Sequence, residues 1–503
     1  MLINTQINKG ITIFLVTFVG LLMSCKKNNA EADASIAPVV ETNELQTPTA
    51  NRDFLTRDSI FLYAKQTYFW NAGMPSYDNF NPRKYSTDNQ VLAAIAALPS
   101  TGGKDKYSFI DDGKVAGQLG GVSGDYGFSA NYDSINILRV KYVYATSPAA
   151  QANLLRGFEI VKVNGRTTIR SNQGDIDNLN EGIFGGNPSI VLTIKKPDQS
   201  VQDLTINRAT YNINPVLYSN TYTVGSKKVG YIVFNSFTTN SEPLLEAAFN
   251  KFTSDGITEL IVDLRYNGGG SVATSEAFTN LIAPASQNGK VMYTTYWTKT
   301  MQDNQATILE NQKFYAKDNN GVTRLFSYFD YSYKPTIAAG NQELFNKKGS
   351  LNGLTRVYFL VTASTASASE LLINNLKPVM DVKLIGRKTY GKPVGFFSIR
   401  IDKKDLYIPQ FQTKNSANFG DYFDGMPVDK DLSDDLTKEF GDPTERLLAE
   451  ALNYSAKGSF TSLNTENTLS STTGVSRQMI DQTNEKLDHE FKGMVETRKM
   501  KFK

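Results

Sequence analysis

Three short segments of this 503-residue chain carry side chains able to do chemistry. The first is Thr365-Ala-Ser-Ala-Ser-Glu370, with Ser367 three residues before Glu370. The second is Gly386 followed by Thr389-Tyr-Gly-Lys392, with Lys392 placed 25 residues after Ser367. The third is Asp263-Leu-Arg-Tyr-Asn-Gly-Gly-Gly270. Each has a plain structural reading on its own. Ser-x-x-Glu is a helix capping box, Lys392 a solvated turn lysine, and Asp-Leu-Arg a strand running into a glycine turn. Together they gain weight, because each follows an apolar, strand-like run. In α/β sheets the crevice outside the carboxyl ends of the strands is where sites form. Composition narrows the chemistry. There is one His, His489, and one Cys, Cys25. A Ser-His-Asp triad, a multi-His metal centre and a Cys-rich zinc site do not fit these counts. Whatever chemistry occurs here runs without histidine, and no metal or organic cofactor is implied.

The elements that must position these residues lie between 211 and 457, where the texture is α/β. Val229-Gly-Tyr-Ile-Val-Phe234, Glu259-Leu-Ile-Val-Asp-Leu264, Arg356-Val-Tyr-Phe-Leu-Val361 and Val382-Lys-Leu-Ile385 read as buried strands. Helices are expected from Glu242, with Pro243 in the first turn, from Val272, and from Ser367 to about Leu376. Residues 283–352 form a polar insertion rich in Tyr, Asn, Gln and Lys, expected to decorate the core and shape the cleft. Residues 51–112 read as a small helical domain, with Phe54, Ile60, Phe61, Ala64 and Tyr68 near helical spacing. Residues 113–210 are short β-rich runs with Gly and Asn turns. Residues 458–503 are Ser/Thr/Asn-rich, then charged, with a weak helix expected from about Arg477 to Arg498, and read as a mobile, solvated tail that strands His489.

Lys+Arg is 53 and Asp+Glu is 50, so the net charge of +3 gives no electrostatic footprint for nucleic acid. Near the start, Lys9 precedes an apolar run from Ile11 to Met23, too short to span a bilayer and suited to a signal peptide. It ends in Leu22-Met23-Ser24-Cys25, which resembles the bacterial lipobox. That resemblance implies removal of residues 1–24, lipidation of Cys25, and a flexible tether over 25–50. Lys26 and Lys27 do not resemble an acidic inner-membrane retention signal, so the expectation is a cell-envelope protein at the outer membrane.

Ser147-Pro-Ala-Ala-Gln-Ala-Asn-Leu-Leu-Arg-Gly157 and Phe158-Glu-Ile-Val-Lys-Val-Asn-Gly165 resemble a PDZ domain. Asn153 stands where Gly is usual, and Asn tolerates that backbone; Phe158 stands where Asp is usual. Such domains add a peptide strand and hold its terminal carboxylate on backbone N–H groups. The matching loop is Tyr126-Gly127-Phe128, so Gly127 and Phe128 are the expected peptide-binding residues.

Taken together, Gly230-Tyr-Ile, Ser236-Phe237, the three segments above, Gly425-Met-Pro-Val428 and Asp442-Pro-Thr-Glu445 resemble the C-terminal-processing (tail-specific) serine peptidases. The resemblance covers most of residues 51–457. It implies a crotonase-like α/β peptidase core with a PDZ-like domain inserted before it. It further implies Ser367 as nucleophile and Lys392 as general base, with substrates that are proteins or peptides with free C-termini.

The implied chemistry is physically consistent. A hydroxyl is a weak nucleophile without a base, and a neutral Lys can replace His. Free lysine, with a pKa near about 10.4, is almost wholly protonated at pH 7, so the site must desolvate Lys392. The N–H of Ala368 at the helix start, with that of Gly269 or Gly270, could hold the tetrahedral oxyanion. One departure stands out. Many such peptidases carry Gln four residues after the Lys, where this chain has Phe396, and Pro393 follows the Lys in place of Gly. Two other readings remain: a non-catalytic peptide-binding lipoprotein on the same fold, and a glycan-binding protein using the Tyr/Asn-rich insertion.

Overall fold

Four apolar strands, Lys227–Phe234, Glu259–Asp263, Arg356–Val361 and Asp381–Gly386, run parallel at the centre of a six-stranded sheet. Val216–Val224 closes one edge as an antiparallel hairpin, and Lys430–Asp431 closes the other. Their side chains alternate between two cores, as strand geometry requires. Ile232, Phe234, Leu260, Val262, Phe359 and Leu384 face the helices Glu242–Asp255, Val272–Ile282 and Ala368–Leu376. Tyr231, Val233, Ile261, Tyr358, Leu360 and Ile385 face the helix Arg446–Lys457 through Leu447, Leu448 and Ala451. The four central strands are buried on both faces over most of their length, which is why the sequence reads as continuous apolar runs rather than alternation. The loops after Phe234, Asp263, Val361 and Gly386 all leave the same edge.

The structure is a computed structural model describing residues 47–167, 173–318, 320–462, 477–498 and 500–503. Cys25, the signal-like segment and most of the tether lie outside the described residues. Three expectations need correction or refinement. The helices Arg52–Thr67 and Asp88–Ala96 do not build a separate domain: Ile60, Phe61, Tyr68 and Ile95 join the same core as Phe234 and Phe359. Phe109–Asp111 pairs with Lys404–Tyr407, tying the segment 51–112 further into the α/β unit. The insertion 283–352 does more than decorate. Its strand Val291–Trp297 lies between Gln342–Leu344 and Phe411–Asn415, and Met292, Tyr293 and Trp297 extend the core.

The third correction concerns the C-terminal segment. Among its described residues the expected helix is present but shorter, Arg477–Lys486, Gly493–Val495 is a strand, and Leu487 and Met494 are buried. His489 stacks on Phe184 and hydrogen-bonds Asn180. A Ser/Thr/Asn-rich approach and a high charge content hid an ordered element, because its order comes from distant partners. The region 113–210 does hold its own core. Phe128–Tyr132, Leu138–Val143, Glu159–Val163, Ser189–Lys195 and Val201–Asn207 form an antiparallel sheet around Val140, Ile160, Ile190 and Leu192. Asn153 takes the left-handed backbone, φ 58°, that Asn tolerates.

One buried charge network fixes the edge of the main sheet. Arg265, 1% exposed, donates to both oxygens of Asp263, to Asp434 and to both oxygens of Glu445. Glu445 in turn accepts the Leu448 N–H at the start of Arg446–Lys457. The Asp-Leu-Arg and Pro-Thr-Glu signatures are therefore two halves of one structural lock. Removing one partner of such a network leaves uncompensated buried charge. Arg265→Ala should cost about 3–5 kcal/mol of unfolding free energy, measured from urea midpoints. A loss below about 1 kcal/mol, the scale of exposed pairs, would refute the lock.

Candidate active site

The crevice begins with a strained turn. Ser367 precedes the buried helix Ala368–Leu376 with φ 62° and ψ −108°, a backbone that costs a non-Gly residue about 1–3 kcal/mol. Leu371, Leu372 and Leu376 supply helix propensity and burial, and Pro378 bars continuation. Such a turn lifts a side chain clear of the sheet edge. Ser367 is fully buried, and its Oγ has no hydrogen-bond partner among the described residues.

Glu370 holds this turn to the lysine loop. Its Oε2 accepts the N–H of Ser367 and that of Lys392, each at 2.8 Å. Its Oε1 accepts the N–H of Gly391 at 2.7 Å and the hydroxyl of Thr389 at 2.5 Å. The Ser-x-x-Glu signature thus caps its own helix and also carries the neighbouring loop. Burial pushes the Glu370 carboxyl above its ordinary value, and these four donors pull it back. Sequence reasoning gave Glu370 only the capping role.

Lys392 is fully buried. Burial lowers its pKa from the ordinary 10.5 to about 7, with a contribution from the nearby Lys492 charge. Asp105 and Glu370 oppose the shift. The amine lies 4.0 Å over the ring of Phe396 and 5.5 Å from that of Tyr107. Where the resemblance led us to expect a Gln, an aromatic face stands instead. Tyr107 also donates its hydroxyl to the Gly391 carbonyl at 2.5 Å. Nothing in the sequence marked Tyr107, which reaches the loop from about 285 residues away. The Lys392 amine donates to the backbone carbonyl of Lys492 at 2.6 Å and not to Ser367.

The glycines form the opposite wall. Asn267 Nδ2 donates to the Phe234 carbonyl at 2.8 Å, and its Oδ1 accepts the Gly269 N–H at 2.9 Å. That N–H is therefore already used, which leaves Gly270 as the donor facing the crevice. Gly269 and Gly270 have φ of 106° and 138°, and a side chain on Gly269 would strike the Gly493 carbonyl oxygen and the Ala368 nitrogen. Those three groups converge on one point. The Ala368 N–H, at the first helical position, has no carbonyl of its own helix to bond. The positive end of the helix dipole lies here. Ser367 and Lys392, tied through Glu370, thus lie in one buried neighbourhood with the Ala368 nitrogen and the Gly269–Gly270 turn, a set able to activate a hydroxyl and stabilise negative charge on a bound carbonyl.

Gly127 and Phe128 belong elsewhere. The Gly127 N–H is taken by Asp125 Oδ1 at 2.7 Å, and its carbonyl by the Tyr144 N–H at 2.9 Å. Phe128 lies in the core of the antiparallel sheet. This loop has no free N–H pair for a carboxylate. The turn composition was read correctly, but Asp125 two residues upstream satisfies it internally.

A lysine held neutral by burial opposes folding. In the native chain Lys392 loses its proton near pH 7, and in the unfolded chain near 10.5. Between those values the unfolded state binds more protons, so stability rises with pH. Lys392→Met should therefore be more stable than the parent by about 3–5 kcal/mol at pH 7. The difference should shrink toward zero as pH approaches 10.5. A pH-independent difference would contradict a buried, titrating amine.

Residues 228–423 match the family described as Peptidase family S41. A curated relative from Staphylococcus epidermidis named "Probable CtpA-like serine protease" is 25% identical over 354 residues, which is 70% of this chain and 62% of that one. "C-terminal processing peptidase, chloroplastic" from Tetradesmus obliquus is 25% identical over 267 residues, 51% of this chain and 48% of that one. The chain thus spans from about half to three-fifths of the length of these relatives. Its fold is shared with the crystal structure of "Putative S41 protease from Bacteroides fragilis NCTC 9343", at 23% identity and a TM-score of 0.56, covering 82% of this chain and 100% of that one. Through residues 228–423 this chain is thus similar to peptidase family S41.

Proposed function

We propose that this crevice hydrolyses peptide bonds near protein C-termini by acyl transfer, with Ser367 as nucleophile and Lys392 as general base. The observation that carries the reading is the shared carboxylate. One oxygen of Glu370 holds the backbones of Ser367 and Lys392 together, and burial keeps the lysine amine near pKa 7. A base near the working pH is what proton transfer requires.

In this mechanism a peptide strand lies along Gly269–Ser271. Lys392 Nζ takes the Ser367 hydroxyl proton as Oγ attacks the carbonyl carbon. The oxyanion that forms is held by the N–H groups of Ala368 and Gly270. The lysine then gives its proton to the departing amine, leaving an acyl-enzyme on Ser367. Water repeats the sequence and releases the acid. No cofactor enters these steps. Phe396 and Tyr107 confine the amine, and Glu370 is a positioning residue. We further propose that the sheet 128–207 is PDZ-like and that Cys25 carries the lipid holding the protein in the cell envelope.

The test is covalent labelling by a fluorophosphonate probe. Labelling of the parent should rise with pH about a midpoint near 7, following Lys392. Ser367→Ala should abolish it, and Lys392→Ala should slow it by about 10²–10⁴-fold, the usual contribution of a general base. Gly270→Ala keeps its N–H, but the added Cβ would strike the Phe237 carbonyl oxygen and push that donor out of place, which should cost about 10²–10³-fold in peptide turnover, the scale of one misplaced oxyanion donor. Labelling that persists in Ser367→Ala would assign another nucleophile.

A further inference from the structure

The crevice is already occupied by this chain. Gly493–Val495 pairs in parallel with Gly269–Ser271, with Gly493 opposite Gly269 and Met494 opposite Gly270. The Gly493 N–H donates to the Gly268 carbonyl at 3.0 Å. On the other side the Phe396 N–H donates to the Met494 carbonyl, and the Glu496 N–H to the Phe396 carbonyl. The segment is thus a strand added between two walls of the site, the manner in which peptides are captured at sheet edges. The carbonyl of Lys492 receives the Lys392 amine, and that of Gly493 approaches the Ala368 nitrogen.

The fit extends to side chains. Met494 is fully buried in the core that includes Phe411, with Sδ 3.9 Å from the Thr413 hydroxyl. Arg498, with only a tenth of its side chain exposed, enters a set of carboxylates: Glu276 and Glu343 of the core and Glu496 of the segment itself. Upstream, Asp488 and Glu490 stand beside Lys141, a fully buried lysine of the antiparallel sheet. Charge, shape and backbone are therefore all complementary along one line.

We infer that residues 491–498 are a built-in occupant of the peptide groove, and that they mark its specificity: an unbranched apolar side chain at the Met494 position and a basic one four residues later. This rests on the reading of the crevice as a peptidase site. An incoming substrate strand displaces the segment from Gly269–Ser271, places an apolar side chain beside Phe411 and Thr413, and sets a Lys or Arg against Glu276 and Glu343. With the segment in place the base is engaged and the groove is closed to other peptides.

The segment is held on both sides of the groove. Asn484 of the helix Arg477–Lys486 bonds both backbone groups of Tyr132, on the edge strand Phe128–Tyr132. Ile480 and Leu487 join that sheet's core. Further on, Phe502 stacks on Phe326 and Tyr331 of the insertion, and its flanking backbone bonds Ser332 and Asp330. Substitutions at 494 and 498 therefore free the groove while both anchors remain.

The test uses the full chain in a Ser367→Ala background and a fluorescent peptide, Glu-Phe-Lys-Gly-Met-Val-Glu-Thr-Arg, followed by anisotropy. Met494→Lys with Arg498→Glu should bind this peptide at least tenfold more tightly than the intact chain. Replacing the peptide's Met by Asp, or its Arg by Glu, should weaken binding to the opened chain at least tenfold. If the paired substitutions disturb the melting transition, Val495→Asp alone serves, with the same expected gain. Equal binding by intact and opened chains would overturn the occupant, and indifference to the peptide's Met and Arg would overturn the specificity. Fluorophosphonate labelling with Ser367 restored separates the two readings. Tighter peptide binding with no labelling in either chain would sink the peptidase reading and keep the occupant. Equal, rapid labelling with no difference in binding would do the reverse.

Discussion

The carboxylate of Glu370 is the point on which the site hangs. Four donors from two loops converge on its two oxygens, so one side chain ties the Ser367 turn to the lysine loop. Hydrogen bonds to an ionised acceptor are roughly twice as strong as neutral ones. Within a buried setting they gain further, because water cannot compete. That strength is needed, since it holds Ser367 at a positive φ that an isolated chain would leave. A glutamine here could accept at one oxygen but would set an amide donor against N–H groups. The same side chain thus caps the helix, fixes the Ser367 turn and seats the lysine loop.

Lys392 shows the opposite use of burial. The groups around its amine are chiefly ring faces and a backbone carbonyl. Desolvation outweighs the two carboxylates that would keep it charged, so the amine titrates near 7. Glu370 lies close enough to raise that value, yet its charge is already shared among four donors. The site therefore sets a carboxylate among four donors and an amine near neutrality side by side. Dividing the two environments in this way is a familiar means of assigning acid and base roles.

Much of this was legible in the sequence, for local reasons. The four central strands declare themselves as apolar runs because both faces are covered. The loops that follow them carry the reactive types, and the fold brings those loops to one edge. What the sequence hid was non-local. Tyr107 and Phe396 act through ring faces, and no spacing rule marks such a contact. Asn267 settles which glycine N–H is free, through a side-chain bond that composition does not announce. Met292, Tyr293 and Trp297 were masked by the polar residues around them in the insertion. The Gly-Met-Val strand is three residues long and flanked by charge, too short for any period. Its order comes from Gly269–Ser271, more than two hundred residues earlier.

The Phe396 ring shapes what the Lys392 amine can bond. An aromatic face attracts an ammonium but offers a neutral amine no strong acceptor. Near pH 7 the Lys392 amine spends much of its time neutral. It must then find an acceptor or donor partner within the crevice, or stand unsatisfied at the cost any buried polar group bears. Here the partner is a backbone carbonyl belonging to the strand beside Gly269–Ser271. Among the described residues no side-chain hydrogen bond reaches this amine, so its orientation rests on the strand that lies beside Gly269–Ser271. Orientation of the lysine and occupancy of the groove are therefore one event, set by the single hydrogen bond from Nζ to a peptide carbonyl.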